Sequence, residues 1–358
     1  MTGDNPPDSL SALIKISQEI FKKNKAKIRQ MISMNEYLSY LKYDPIKPLL
    51  ESKNEALIFF TRRDLLDEKG LDVKDLWEIP EAVKILKKQR EDGSWKYPGK
   101  LKDVYRDQKG YDQLETFRQI SFLIEKYVFN KNHLSIEKAA KYLFSSQTNS
   151  GDFRGIYGTQ YATTYSPMIS ELLIKAGYEN DIKVLKSLDW LLQMRQDDGG
   201  WAIPLRTVDA KFLDVVHDKE VIEPNRNKPF SHLITGCALR ALSAHPDYQK
   251  MPETIHAGKL LMSRFFKRDK YADRSAVSFW TGFSYPYWFT DLLTSLDSLS
   301  KLGFSRDETQ IETALYWFSS HQSNDGTWVK LKLLRGQDKQ QYLWITLQIS
   351  RVFKQYYG

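Results

Sequence analysis

Apolar side chains recur along this chain at the three-and-four spacing that gathers them on one face of an α-helix, and almost nowhere at the alternate spacing of a half-buried strand. The pattern predicts first helices over 54–66, 111–127, 160–176, 231–244, 288–302 and 340–356. Partner helices follow five of them, over 81–88, 135–145, 181–194, 252–266 and 307–319, with Pro80 at the start of the first partner. The N-terminal segment supplies a sixth partner. There, residues 9–40 are basic and amphipathic: Leu10, Leu13, Ile14, Ile20, Phe21, Ile28 and Ile32 share one side, and Lys22, Lys23, Lys25, Lys27 and Arg29 surround it. Such a segment either closes an array of helix pairs from outside or lies on a membrane surface.

The connections are unequal. Links from a first helix to its partner are short, at 177–180, 245–251 and 303–306. Links from a partner to the next first helix are long, at 96–110, 202–230, 267–287 and 329–339. In an up–down array the long links fall together, beside the starts of the first helices, and long ordered loops are where function usually sits.

One short pattern punctuates the array. Gln89-Arg-Glu-Asp-Gly93-Ser-Trp95, Gln147-Thr-Asn-Ser-Gly151-Asp-Phe153, Gln196-Asp-Asp-Gly199-Gly-Trp201 and Gln322-Ser-Asn-Asp-Gly326-Thr-Trp328 each end a partner helix. They are spaced 58, 49 and 126 residues apart, so the last interval has room for one decayed copy, within 267–287. Self-similarity at this period is the mark of an array whose units bury their faces on their neighbours.

Composition narrows the picture. Nine Trp, 20 Tyr and 18 Phe in 358 residues supply a large core, or a core and an aromatic-lined pocket. The single cysteine, Cys237, excludes an internal disulfide and multi-cysteine zinc sites and fits a reducing compartment, so a cytoplasmic location is expected, with a peripheral membrane contact through 9–40 as an option. Residues 1–9 lack the basic start and apolar run of a signal peptide, and no apolar stretch reaches the ~20 residues that span a bilayer. The formal charge of +8 is spread along the chain without a nucleic-acid motif, so no nucleic-acid partner is expected.

The four Gln-Gly-aromatic copies resemble the QW motif of triterpene cyclases and the matching repeats of protein prenyltransferase β-subunits, over about residues 80–358. The resemblance implies an all-α fold, an α6–α6 toroid of six helix pairs over 44–358, preceded by the N-terminal segment 1–43. It implies inner helices around a central cavity, and motifs that tie successive pairs, the glutamine capping the next helix and the aromatic stacking on it. It also implies an elongated apolar or amphiphilic ligand, such as a prenyl diphosphate, handled by acid-initiated cyclisation or prenyl transfer. The catalytic signatures of those enzymes are missing: neither Asp-x-Asp-Asp nor Asp-Asp-x-x-Asp occurs, and His232 has no Asp-x-Cys to complete a zinc site. No cofactor is expected, zinc included, and magnesium enters only with a diphosphate ligand. A carbohydrate-active toroid (lyase or hydrolase) and a non-catalytic toroid that binds a lipid or a protein are the alternatives.

In that arrangement the first-helix starts and the long links line the cavity mouth. Arg154, Tyr157, Gln160, Tyr161, Tyr165, Arg206, Trp280, Tyr285 and Trp288 are the candidate ligand-binding residues: arginines for an anionic head, aromatic faces for an apolar chain or a developing cation. Asp291 is the first candidate general acid, expected one turn into an apolar, Trp-flanked helix where burial raises its pKa; a helix-capping carboxylate is the plainer role. Glu115 is the second, with Arg118 as an i, i+3 partner, and His232 is a candidate base or helix cap.

Overall fold

A computed structural model describes residues 36–101, 106–216, 220–334 and 340–358. The described chain is all-α, apart from one pair of two-residue parallel strands, β1 (Gly282–Phe283) and β2 (Lys332–Leu333). Of fourteen α-helices among the described residues, two are single turns in the long link, Pro204–Thr207 and Phe212–Val215, and the other twelve alternate in kind: α1 Ile46–Leu50, α2 Glu55–Phe60, α3 Pro80–Leu86, α4 Gln108–Tyr127, α5 Leu134–Phe144, α6 Tyr165–Leu173, α7 Ile182–Gln193, α8 His232–Ala244, α9 Pro252–Met262, α10 Leu292–Lys301, α11 Thr309–Ser320 and α12 Gln341–Tyr357. Both α2 and α6 continue into a π turn, at Thr61–Leu65 and Ile174–Tyr178. The even-numbered helices pack on one another in order, α4 on α6, α6 on α8, α8 on α10, α10 on α12 and α12 on α2, while odd helices pack against them. Burial explains the division. In α8 every residue except the last is buried, whereas α11 buries only Ile311, Ala314, Leu315 and Phe318.

The pattern-based elements are present with shifted ends. Helix 160–176 begins only at Tyr165, and 288–302 only at Leu292, because Asp291 is extended (φ −141°) and caps the helix. Helix α1 packs on α12 and α2; of the amphipathic segment 9–40 expected to supply the sixth partner, residues 9–35 lie outside the described residues and Glu36–Tyr40 is a 3-10 turn.

Each motif is a fastener with several points of attachment. The glycines Gly93, Gly151, Gly199 and Gly326 all adopt positive φ, between 82° and 111°, where a side chain is strained. They also lie against the next outer helix: a Cβ on Gly93, Gly151 or Gly326 would run into the carbonyls of Lys138, Lys186 or Asp44. The glutamine donates to the motif glycine's own carbonyl and to one beyond it, Gln89 to Ser135 O (2.8 Å), Gln147 to Lys183 O (2.7 Å) and Gln322 to Tyr43 O (2.8 Å). It therefore binds carbonyls of the next unit; only Gln322 also accepts N–H groups, from Lys42 and Tyr43. In the third copy Gln196 holds Asn225 O and Lys228 O in the long link instead, and His256 of α9 reaches Asp198 O.

The aromatic completes the tie. The backbone N–H groups of Trp95, Phe153, Trp201 and Trp328 donate to hydroxyls on the following even helix, those of Thr116, Ser166, Thr235 and Thr346, at 3.0–3.2 Å. The indole N–H groups of Trp95, Trp201 and Trp328 donate back to Ile85, Leu191 and Phe318 near the end of the preceding odd helix. In the decayed interval Trp280 is equally buried and its indole donates to Lys267 O (2.9 Å). The fourth tie joins residue 322 to residue 43, so the last described motif holds the first described segment.

Candidate functional site

The end of the molecule at which the even helices start holds most of the residues expected to bind a ligand, Tyr285 excepted, and it is filled. Residues 285–288 of the link between α9 and α10 run in among the even helices. Tyr285 stacks on Trp344 of α12 (5.4 Å) and donates to Glu125 O of α4 (2.7 Å), and Tyr287 donates to Gln348 of α12 (3.2 Å). Trp288 packs edge-on against Phe117 of α4 (5.2 Å) and Tyr165 of α6 (6.2 Å), and Tyr157 and Phe212 extend the same cluster. Trp280 lies over the His232 ring at 4.5 Å. These aromatics pack chiefly on one another, since edge-to-face contact with a neighbouring ring recovers in the folded chain what a ligand would supply.

The polar candidates serve as loop ties. Arg154 pairs with Asp152, donates to Thr159 O (2.9 Å) and lies over the Tyr161 ring. Gln160 clamps the link through Val215 O (2.8 Å), Glu220 O (3.1 Å) and the N–H of Ile222 (2.9 Å), and Tyr161 donates to Glu223 (2.6 Å). Arg206 makes a two-point pair with Asp273 (2.6 and 2.8 Å). Glu115 is buried and has the expected i, i+3 partner, Arg118 at 2.9 Å. His232 is buried beside Asp269 (3.1 Å), and burial pulls its imidazole down to about 4, so it is neutral at pH 7.

Asp291 takes the plainer of the roles considered for it. It is not a turn inside the helix but the N-cap of α10, in a reciprocal capping box with Thr294. Its carboxyl is nonetheless buried, and burial pushes it up to about 7 against the opposing hydrogen bond from Thr294. It lines a small cavity of about 80 Å³ together with Arg274, Ser284, Trp288 and Thr290.

The larger cavity, about 620 Å³, opens at the other end, where the even helices finish. Phe60, Arg63, Asp64 and Asp67 line it from the end of α2, and Ile124, Glu125 and Val128 from the end of α4; Lys175 follows α6, Arg351, Lys354 and Gln355 come from the last turns of α12, and Tyr285 looks in from the link. Of the expected site residues it contains only Tyr285. Seven of its twelve lining residues are charged. Arg63 (2.5 Å) and Arg351 both engage the Asp64 carboxylate, and both guanidinium groups lie over Phe60, at 4.8 and 4.5 Å from the ring centre. Burial raises Asp64, but the two arginines outweigh it and hold the carboxylate below its usual range. Lys354 pairs with Asp67 and donates to Asp64 O.

From the opposite wall a chain of charges runs inward, open to the cavity at Glu125 and Lys175 and buried at Glu171 and Arg240. Lys175 pairs with Glu125 (2.6 Å) and Glu171 (2.7 Å), and Glu171 with Arg240 (2.7 Å). Burial alone would lower Lys175, yet the two glutamates hold it above the usual lysine range. The two charges brought into the helix core, Glu171 and Arg240, stay ionised because each has its counterpart within contact. Their signal was present in the sequence: Arg240 interrupts the apolar run Ala238-Leu-Arg-Ala-Leu242, and a charge inside an all-round apolar helix requires a buried partner. Which partner, and that the group borders a cavity, depended on contacts between helices distant in sequence.

Among the described residues no three His, Cys, Asp or Glu side chains gather as metal ligands would, and no helix is long and apolar enough to cross a membrane. No protein-family model matches the chain, and no curated protein matches it.

Proposed function

We propose that the chain is an α6–α6 toroid that binds a hydrophilic, acidic small molecule, of the sugar-acid class, in the cavity at the helix-end face. Support for the ring comes from the alternation of covered and covering helices, the ordered contacts of the even set, and the tie from Gln322 to Tyr43. Support for the ligand class comes from one observation: charged side chains line most of a 620 Å³ cavity, and on one wall Arg63, Arg351 and Lys354 face only Asp64 and Asp67. That wall is net positive, three cations to two carboxylates, and so attracts an anion even with Arg63 and Arg351 both engaged on Asp64. The Glu125 carboxylate and the Gln355 amide on the remaining lining accept from hydroxyl groups, and the volume falls in the range of small-molecule sites. An isoprenoid chain laid there would strip water from charges and return no hydrogen bonds.

Saturation-transfer NMR with uronates, neutral sugars and prenyl diphosphates tests this reading. Uronates are expected to bind, and Arg351→Gln to weaken them at least about tenfold, the scale of a lost charge-assisted pair. Binding by prenyl diphosphates alone, or uronate binding indifferent to Arg351→Gln, overturns it.

A second reading, acid-initiated chemistry of the terpenoid-cyclase kind, is favoured by Asp291, whose buried carboxyl keeps its proton up to about pH 7. Incubation with prenyl diphosphates and squalene, read by mass spectrometry, is expected under this reading to give a product that Asp291→Asn abolishes. No product across the panel removes it.

A further inference from the structure

Arg274 lies in the link between α9 and α10 with its guanidinium held between two rings, 4.0 Å from the centre of Phe279 and 4.5 Å from that of Phe289. Rings supply no oxygen acceptor, so the guanidinium's hydrogen-bonding edge is left to find a partner elsewhere. Two nitrogens of that edge, Nε and Nη2, are shut off from solvent and have no hydrogen-bond partner in the protein. They are the pair that makes parallel hydrogen bonds to a carboxylate or similar oxyanion. Leaving two charged donors buried and unpaired is costly, so an edge of this kind implies an occupant.

The surroundings define the occupant. Arg274 lines the cavity of about 80 Å³ with Asp291, Ser284, Thr290 and Trp288. Asp291 does not neutralise it: the carboxyl's Oδ1 accepts from the N–H of Thr294, and neither Nε nor Nη2 of Arg274 reaches it. Thr290 is turned away, its hydroxyl donating to Leu233 O (2.6 Å). The volume admits a group of a few non-hydrogen atoms, far below the several hundred Å³ of a site for a sugar or a lipid chain.

We propose that this cavity binds one free small oxyanion, of acetate to sulfate size, gripped by Nε and Nη2 of Arg274 with the Asp291 carboxyl as its second partner. No residue lines both this cavity and the larger one, so the site stands independently of the ligand proposed above. Asp291 sets its pH range. The charged and titratable groups around it are Arg274 and Tyr287 from the link and Arg240 from α8, with the Cys237 thiol of α8 also near Arg274. With its proton, the carboxyl donates to the anion; without it, two negative groups would share one small cavity.

Calorimetric titration of the full chain with acetate and with sulfate, at ionic strength balanced by chloride, tests the site. Neither probe titrates between about pH 6 and about pH 8, so a change in affinity across that window reports the protein. One saturable site per chain is expected near pH 6, weaker by at least about tenfold near pH 8, where Asp291 has ionised. Arg274→Gln should abolish it, and Arg274→Lys, which keeps the charge but loses the fork, should weaken it strongly. Asp291→Asn, which keeps a donor at every pH, should bind without the pH dependence. Benzoate, too large for the cavity, should give no saturable heat. A selenate-soaked crystal should show anomalous density beside Arg274 Nε, a readout that stands if the glutamine variant fails to fold. Absence of saturable binding by either anion, binding unchanged in Arg274→Lys, or selenate density elsewhere only, overturns the proposal and leaves ordered water as the occupant.

Discussion

The two ends of the even-helix stack are built on opposite principles. Where the helices start, long links fold inward and aromatic rings pack edge to face, with Phe117, Tyr165 and Trp288 all buried. Where the helices finish, most connections are short, Tyr285 alone reaches in from a long link, and the gap is bordered by ion pairs. Long links can reach the middle and fill it with their own side chains. Short ones cannot, and the space they leave is lined by whatever the last helical turns carry. The long loops that sequence reasoning marks as a ligand site are, at residues 285–288, the very material that occupies it.

The sharpest way to break this comparison is to empty the filled end. Trp288→Ala should cost about 3–5 kcal/mol of stability, the range for deleting a large buried aromatic, read as the shift in a urea unfolding curve. A loss below about 1 kcal/mol would mean that Trp288 borders an open site rather than a core.

Next in size is the proton on Asp291. Its carboxyl is raised from 3.8 to about 7 in the folded chain, so between those values the folded state holds a proton that the unfolded state has lost. Its contribution to stability is therefore fully present below about pH 4, falls as pH rises, and is gone above about pH 7. Between these limits wild type should lose up to about 4 kcal/mol relative to Asp291→Asn, which caps the helix without titrating. Paired acids such as Asp64 and Asp297, held low, act in the opposite sense, so only the difference between the two proteins is diagnostic. A pH-independent difference would contradict the burial assigned to this carboxyl.

A smaller effect tests the fasteners. Thr235→Val keeps the shape but leaves the buried N–H of Trp201 without an acceptor, and should cost about 1–3 kcal/mol in the same unfolding assay. Smallest of all, Gln355→Ala at the exposed rim of the helix-end cavity should change stability by less than about 0.5 kcal/mol. A larger loss there would make that end part of the core after all.

Much of the architecture was legible in the residues. Helical spacing located the even helices, and the four motifs marked where each pair ends, because a glycine at positive φ against a neighbouring backbone and an aromatic with a fixed donor are requirements expressed locally. The capping role of Asp291 was legible too, as was the Glu115–Arg118 pair, since both concern neighbours within one turn. The candidate site was legible only in part. That Arg154, Gln160 and Arg206 tie loops together depends on Asp152, Val215 and Asp273, and two of these three partners lie tens of residues away.

By itself, then, the sequence determined the helices, their alternation and the turns that fasten them, because hydrophobic periodicity and glycine stereochemistry act over a few residues. Tertiary structure decided which end is full and which is open, and that Arg240, Glu171, Lys175 and Glu125 form one chain of charges leading from the core to the cavity. It also left the Nε–Nη2 edge of Arg274 facing no partner. Those outcomes depend on Coulomb and packing contacts between segments far apart in the chain, and such contacts come into being only when the helices are stacked.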